Sequence, residues 1–160
     1  MVQIKIRPAE ADDDLMIEKI LGSYFLDRDD IPASQFTVAE NEDGKVIGCA
    51  CYDISQKEYD GRRFGEVHTI AVMPSFKDKG TGKRLLKEIL RNLAREKDRK
   101  DLSDTVYVRT TAPGFFRHEG FSDCSPDLKK ELWDECLNCR EYNECVQKIL
   151  SGKLSELLKE

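Results

Sequence analysis

The sequence lacks any long apolar run and any excess of basic residues. No segment approaches the roughly 20 consecutive apolar residues of a membrane-spanning helix, and the start, MVQIKIRPAE, lacks the apolar segment and cleavage site of a signal peptide. The 26 Lys and Arg residues are outnumbered by 31 Asp and Glu residues, giving a net charge of −5, whereas surfaces that bind nucleic acid are basic. We therefore expect a cytoplasmic protein without membrane or nucleic-acid partners.

Low-complexity segments are also scarce. Of the 160 residues, 39% are hydrophobic, which is enough for one hydrophobic core. We predict a single domain over residues 1–160, with a cysteine-containing C-terminal extension at about residues 123–160.

Two hydrophobic periods alternate along the chain. A period of two predicts strands, and a period of 3.6 predicts amphipathic helices. We expect strands at QIKIR, on both sides of Asp43-Gly44, at FGEVHTIAV and at TVYVRT. We expect one helix from Gly80 onward and a short helix at APGFFRHEGF. A further helix is expected to run through the apolar residues Met16, Ile17, Ile20, Leu21, Tyr24 and Phe25. This order predicts an α+β (mixed α/β) fold.

The stretch VMPSFKDKGTGKRLL leads from a strand end through two glycines into a helix. The first turn of a helix presents unpaired N–H groups that bind anions, glycine lets a phosphate approach the backbone, and Lys77, Lys79 and Lys83 add positive charge. The stretch therefore predicts a site for a large anion such as a coenzyme diphosphate. The alternative is a helix capped by Gly80 and Gly82 beside ordinary surface lysines.

The stretch IAVMPSFKDKGTGKRLL resembles the acetyl-CoA motif of the GNAT N-acetyltransferase superfamily: an apolar strand end, a proline, then Arg/Gln-x-x-Gly-x-Gly/Ala opening a helix. Lys77 stands where that family usually has Arg or Gln. Over roughly residues 2–122 the element order fits as well. The resemblance implies a mostly antiparallel, twisted sheet with one splayed strand pair, flanked by helices, and acetyl-CoA as cosubstrate. The residues that it assigns to the coenzyme are Ile70, Ala71 and Val72, which would pair with the pantetheine arm, Lys77, Asp78, Lys79, Gly80, Thr81, Gly82 and Lys83 around the diphosphate, and Phe116.

Acetyl transfer to an amine requires a general base, because the amine must lose a proton. Glu66 lies four residues before Ile70 on the same strand face, where several members of the superfamily place a catalytic glutamate. His68, on the same face, could relay the proton. The alternatives are a structural pair of Glu66 with Arg62 or Arg63, and a hydrogen-bonded, half-buried ring for His68.

Many members of the superfamily carry a tyrosine four residues before the glycine of a terminal Gly-Phe, where it protonates the leaving thiolate. In FFRHEGF that position is Phe116. The simplest interpretation of Phe116 is a packing residue beside the coenzyme.

VRTTAPGFFRHEGF and GEVHTIAV resemble a narrower branch, the N-acetylglutamate synthase-like acetyltransferases, which also lack that tyrosine. The resemblance implies a small-molecule amine as acceptor, namely the α-amine of an amino acid such as glutamate. Arg109 and Thr110 could then hold its carboxylate, unless Arg109 pairs with a surface acid and Thr110 only ends the strand. A glutamate acceptor needs another cation, for which Arg62, Arg63 and Arg117 are candidates, whereas an acidic pocket around Asp27, Asp29 and Asp30 favours a cationic acceptor.

The C-terminal extension carries Cys136, Cys139 and Cys145, spaced C-x2-C-x5-C. Such a pair can bind zinc, but a closed zinc site needs four ligands, with Cys124 or His118 as the fourth. The three cysteines could be free thiols, zinc ligands or partners in a disulfide, so no metal ligand is assigned.

The cysteines of the C-terminal extension and the missing tyrosine also support a second functional hypothesis. In this hypothesis the protein is a non-catalytic acyl-CoA binder or a thiol- or metal-responsive sensor. Three leucines of the final helix, Leu154, Leu157 and Leu158, could pack on the domain or form a homodimer.

Overall fold

A computed structural model describes residues 3–26, 28, 30–77, 79–133, 136 and 147–159. The chain divides into two compact units, Met1–Asp53 with Val67–Asn92, and Ile54–Glu66 with Leu93–Glu160. We refer to these as unit 1 and unit 2. The expectation of a single domain stays a prediction.

The described residues form strands and helices in the predicted order. The strands are β1 (Lys5–Pro8), β2 (Phe36–Glu40), β3 (Val46–Ile54), β4 (Gly65–Val72), β5 (Thr105–Thr110), β6 (Ser122–Asp123) and β7 (Lys148–Lys153). The helices are α1 (Asp14–Gly22), α2 (Thr81–Lys100), α3 (Pro113–His118), α4 (Leu128–Leu132) and α5 (Leu154–Leu157), with short 3-10 turns at Ala11–Asp13, Ala33–Gln35 and Pro74–Phe76. The predicted α+β class is confirmed.

The strands follow the order β1-β2-β3-β4-β5-β7-β6. Strand β2 pairs antiparallel with β1 and β3, and β7 pairs antiparallel with β5 and β6, which bears out the mostly antiparallel sheet. Strand β4 pairs parallel with β5 at two positions, Gly65 with Val106 and Glu66 with Tyr107.

Unit 1 contains the predicted hairpin. Gly44 has φ +79° in the connection between β2 and β3, a conformation that glycine adopts without steric cost. The hydrophobic core of the unit includes Ile17, Ile20, Leu21, Ile31, Phe36, Val38, Val46, Cys49, Cys51 and Ala71.

The alternation predicted for β4 is confirmed in the part of the strand that belongs to unit 1. Val67, Thr69 and Ala71 are buried, while His68 and Ile70 are half-buried. The period of two therefore separates a core face from a more accessible face.

The helix predicted to run through Tyr24 and Phe25 ends earlier, so this expectation was wrong at its C-terminal end. Helix α1 ends at Gly22, the N–H of Leu26 donates to the carbonyl of Leu21, and Phe25 has φ +55°. This arrangement is a Schellman-type helix end. Because the left-handed residue turns away from the helix, Phe25 is 97% exposed.

Helix α2 begins one residue after the predicted Gly80 and buries its predicted apolar stripe. Leu85, Leu86, Ile89 and Leu90 in unit 1 and Leu93 in unit 2 are each at most 1% exposed. None of the described helices has the length and apolar composition to cross a membrane.

Unit 2 has its own core, formed by Phe64, Tyr107, Leu132, Trp133, Cys136 and Ile149. Phe64 meets the rings of Tyr107 and Trp133 edge to face, with ring centres 5.2 and 6.5 Å apart. In α5, Leu154 and Leu157 are 3% and 6% exposed. These two leucines are therefore buried by packing within the chain itself.

Candidate active site

The glycine–lysine loop, residues 73–83, connects β4 to α2 in unit 1. Gly80 has φ +81°, and its carbonyl accepts a hydrogen bond from the N–H of Arg84 at 3.2 Å. Apart from the two adjacent residues, no described residue has an atom within 4 Å of the position that a Cβ at Gly80 would take. Thr81 opens the helix and is 3% exposed.

The free N–H groups and positive charges of the glycine–lysine loop are suited to binding an anion. Helix α2 has 20 residues, and its first turn, Thr-Gly-Lys-Arg, adds positive charge to the free N–H groups at the helix start. Lys77, Lys79 and Lys83 are exposed, whereas Asp78 lies outside the described residues. The described residues leave the space beside Gly80 open, which gives room for a bulky group such as a diphosphate.

Tyr24 supports the start of the loop. Its hydroxyl donates a hydrogen bond to the carbonyl of Val72 at 2.6 Å, and the Nζ of Lys77 lies 5.5 Å from the centre of its ring. The N–H of Met73 donates to the carbonyl of Ile47 at 2.8 Å. The sequence did not predict this role for Tyr24, since residues 24 and 72 share no local pattern.

His68 belongs to unit 1, where it contacts Thr69 and Cys51. Its Nδ1 lies 2.9 Å from the Oγ1 of Thr69 and 3.8 Å from the Sγ of Cys51. These contacts match the alternative considered for His68, a hydrogen-bonded, half-buried ring.

Glu66 is the centre of a polar cluster in unit 2. It is 7% exposed. Its Oε2 accepts a hydrogen bond from the Nε1 of Trp133 at 3.0 Å, and its Oε1 lies 3.4 Å from the Nη2 of Arg109. Burying a carboxylate is costly unless it is hydrogen-bonded or paired, and Glu66 has both kinds of contact.

Arg109 joins the cluster from the side of β5. Its guanidinium carbon lies 4.2 Å from the centre of the Trp133 ring, and its Nη1 donates to the Sγ of Cys136 at 3.3 Å. The structure thus brings together the predicted base Glu66 and the predicted carboxylate-binding Arg109. Trp133 and Cys136 also belong to the cluster.

The alternative partners proposed for Glu66 have other contacts. Arg62 Nη2 lies 3.9 Å from Asp101 Oδ1, and Arg63 Nε donates to the carbonyl of Ser55 at 2.8 Å. Glu66 pairs with Arg109, a partner that was not expected from the sequence.

Two further predicted site residues have structural contacts. Thr110 Oγ1 accepts a hydrogen bond from the N–H of Ala112 at 2.9 Å, as in a turn that ends a strand. Phe116 is 6% exposed, and its ring meets Phe115 and Phe121 edge to face at 5.1 and 5.4 Å between centres. Packing explains the position of Phe116.

Arg117, considered as an additional cation, forms an exposed ion pair with Asp123. Its Nε and Nη2 lie 2.8 and 2.7 Å from the two carboxylate oxygens. This bidentate pair raises the pKa of Arg117 through the hydrogen bonds to Asp123 and lowers that of Asp123.

A cavity of about 260 Å³ lies in unit 2. Tyr107, the ladder partner of Glu66, is one of its walls. Burial raises the pKa of Tyr107 to about 12, so its hydroxyl is protonated at neutral pH. The lining residues are Tyr59, Asp60, Arg62, Phe64, Ser103, Thr105 and Tyr107.

Two cysteines of the C-terminal extension, Cys124 and Cys136, lie in the described part of the chain. Cys124 and Cys136 are free thiols, and Cys124 Sγ lies 3.2 Å from Ser151 Oγ. Cys139 and Cys145, together with Asp27 and Asp29, lie outside the described residues. Within the described residues, no group of three or more His, Cys, Asp or Glu side chains is placed to hold a metal ion.

Comparison with known proteins gives consistent similarities. The model of the acetyltransferase (GNAT) domain family matches residues 32–123. An uncharacterized N-acetyltransferase of Chlorobaculum tepidum is 28% identical over 114 residues, 69% of this chain and 64% of that protein. An amino-acid acetyltransferase of Mycobacterium tuberculosis is 30% identical over 119 residues, 72% of this chain and 62% of that protein. The chain thus spans less than two thirds of these relatives.

The fold also matches solved structures. N-acetylglutamate synthase from Neisseria gonorrhoeae, complexed with coenzyme A and N-acetyl-glutamate, superposes with a TM-score of 0.70 at 24% identity. The match covers 96% of this chain and 36% of that chain.

Proposed function

The chain belongs to the GNAT acetyltransferase family, and on this premise we propose that it transfers the acetyl group of acetyl-CoA to a primary amine. The observation that carries the proposal is the family match, because residues 32–123 include both the glycine–lysine loop and Glu66. Two curated relatives with acetyltransferase names support it.

We assign the coenzyme to the glycine–lysine loop and the strand before it. Acetyl-CoA supplies an acetyl group activated as a thioester. The free N–H groups at the start of α2 and the loop lysines bind its diphosphate, and the left-handed Gly80 leaves the approach open. The full set is Ile70, Ala71, Val72, Lys77, Asp78, Lys79, Gly80, Thr81, Gly82 and Lys83, with Phe116 as a packing residue.

We assign Glu66 as the general base, acting directly or through one water molecule. Its buried hydrogen bond from Trp133 fixes one oxygen of the carboxylate, and Arg109 contacts the other oxygen in the absence of an acceptor. His68 is a secondary candidate for moving the proton.

We propose the α-amine of an amino acid such as glutamate as acceptor. The fold likeness to N-acetylglutamate synthase and the relative named as an amino-acid acetyltransferase support this choice. The Nη2 of Arg109 lies 3.4 Å from the Oε1 of Glu66. When the acceptor binds, Arg109 would leave Glu66 and bind the carboxylate of the acceptor instead. Thr110 would help Arg109 to hold the carboxylate of the acceptor.

A second candidate is a non-catalytic acyl-CoA-binding sensor. The contact of Arg109 with the thiol of Cys136 favours it, since oxidation of that sulfur would change the contacts of Glu66 as well. The presence of Phe116 in place of the tyrosine that is common in the family also favours the sensor.

One assay distinguishes the two functions. The protein is incubated with acetyl-CoA and a panel of amino acids and other small amines, and release of free CoA is followed. Turnover is expected with at least one amine. Firm binding of CoA without turnover on any amine would refute the enzyme and favour the sensor.

Glu66→Gln tests the base, with Glu156→Gln as the matched control, because Glu156 is exposed on α5. Glu66→Gln should lower activity and raise the pH at which activity appears, since no carboxylate remains to accept the proton. Glu156→Gln should leave both unchanged. A Glu66→Gln variant with the wild-type pH profile would remove Glu66 as the base.

A further inference from the structure

Trp133 contacts Glu66 and Arg109 through different parts of one ring. The edge of the indole donates its N–H to Glu66 Oε2 at 3.0 Å, and the face of the ring lies 4.2 Å from the guanidinium carbon of Arg109. An indole N–H lies in the ring plane, whereas a cation is attracted to the ring face. One side chain therefore bonds the carboxylate and stacks the cation at the same time.

The contact of Glu66 with the indole is shorter than its contact with Arg109. The distance from Arg109 Nη2 to Glu66 Oε1 is 3.4 Å, which is long for an N–H···O hydrogen bond. If Arg109 left Glu66 for another carboxylate, the indole N–H would still hold Oε2. The face of the ring would still hold Arg109 in place.

Trp133 is itself well fixed. Its side chain is in the core of unit 2 and is 6% exposed, and Phe64 packs against the ring edge to face. Its backbone N–H donates to the carbonyl of Lys129 at 3.0 Å, and its carbonyl accepts from the N–H of Cys136 at 3.1 Å. A side chain held in this way can orient its partners without a large loss of conformational entropy.

We propose that Trp133 is the positioning residue of the site: its N–H orients the carboxylate of Glu66, and its ring face holds the guanidinium of Arg109. The catalytic consequence rests on the proposed function, in which Glu66 accepts the proton and Arg109 binds the acceptor. Trp133 touches neither reactant in this role and acts through the two charged residues.

A spectroscopic test does not depend on activity. Trp133 is the single tryptophan of the chain, so a uniformly 15N-labelled sample gives one indole N–H resonance in a proton–nitrogen correlation spectrum. We expect this resonance away from the position of a free indole, with slowed hydrogen exchange. Glu66→Gln should move it and speed its exchange, whereas the exposed Glu156→Gln should leave it unchanged. An indole resonance that Glu66→Gln does not move would overturn the proposal.

A kinetic test uses Trp133→Phe, which keeps an aromatic ring for packing and for Arg109 but removes the donor. Loss of one hydrogen bond to a charged group should lower kcat by about ten- to a hundredfold, with the KM for acetyl-CoA within about twofold of wild type. Wild-type kcat in this variant would also overturn the proposal. Absence of turnover by the wild-type protein would count against the proposed function alone, because the indole measurement still decides the contact.

Discussion

Replacing Gly80 by alanine tests the predicted coenzyme loop, and the chain offers a matched control. Gly80 has φ +81° and Gly44, in the connection between β2 and β3, has φ +79°. Apart from the two adjacent residues, no described residue has an atom within 4 Å of a Cβ at Gly80. A Cβ at Gly44 lies 3.6 Å from Glu40 Oε1, an ordinary van der Waals distance. Neither substitution creates a clash with a described residue, so the expected cost of both is the strain of a left-handed alanine.

That strain sets the expected loss of stability. A left-handed conformation costs an L-residue about 1–2 kcal/mol, and in a domain of this size each kcal/mol lowers Tm by about 2–4 °C. Gly44→Ala and Gly80→Ala should therefore lower Tm by similar amounts, about 2–8 °C each. Thermal unfolding without ligand measures this.

Binding of CoA should separate the two variants. If the diphosphate lies against the backbone at Gly80, an added methyl group occupies space that the ligand needs. Gly80→Ala should then raise the Kd for CoA at least about tenfold, equivalent to about 1.4 kcal/mol, while Gly44→Ala keeps the wild-type Kd. Calorimetric titration gives both values. Equal Kd values for the two variants would refute the assignment of the loop.

Three further predictions concern stability and reactivity. The hydrogen bonds from Arg7 lower the pKa of Asp13, so Asp13→Asn should cost stability above about pH 4, and the deficit should close as pH falls through the lowered pKa in denaturant titrations. An undiminished deficit in acid would contradict this. Burial raises the pKa of Cys49 to about 12, so alkylation at pH 8 followed by peptide mass spectrometry should label Cys124 long before Cys49; equal rates would contradict it. Phe25→Gly should raise the Tm, because glycine relieves the positive φ of an exposed residue; a lower Tm would contradict it.

Local periodicity accounts for the parts of the fold that the sequence predicted well. In β4, Val67, Thr69 and Ala71 are buried as the period of two requires. The strand Thr105–Thr110 has the predicted bounds. These features depend on neighbours a few residues apart, and the sequence displays such neighbours directly.

The end of α1 shows where periodicity misleads. Tyr24 and Phe25 continue the helical spacing of the apolar residues, but the Schellman-type hydrogen bond from Leu26 to Leu21 closes the helix before them. Phe25 occupies the left-handed position that glycine usually takes. A sequence without glycine at that position gives no sign of the helix end.

The candidate site was predicted in its residue types but not in its contacts. Glu66 and Arg109 were selected separately, and their pairing, 43 positions apart in the chain, has no local pattern. The hydrogen bond from Trp133 to Glu66 joins residues 67 positions apart. Contacts of this kind depend on how the elements pack, which spacing along the chain does not reveal.

The contacts of Tyr24 limit how well the glycine–lysine loop could be transferred to another protein. Its hydroxyl reaches a carbonyl 48 positions further along the chain, and its ring lies beneath the ammonium of Lys77. A graft of residues 72–83 onto another scaffold would carry the glycines and lysines but leave this support behind. Moving the loop would therefore require moving the segment that follows α1, which contains Tyr24, together with it.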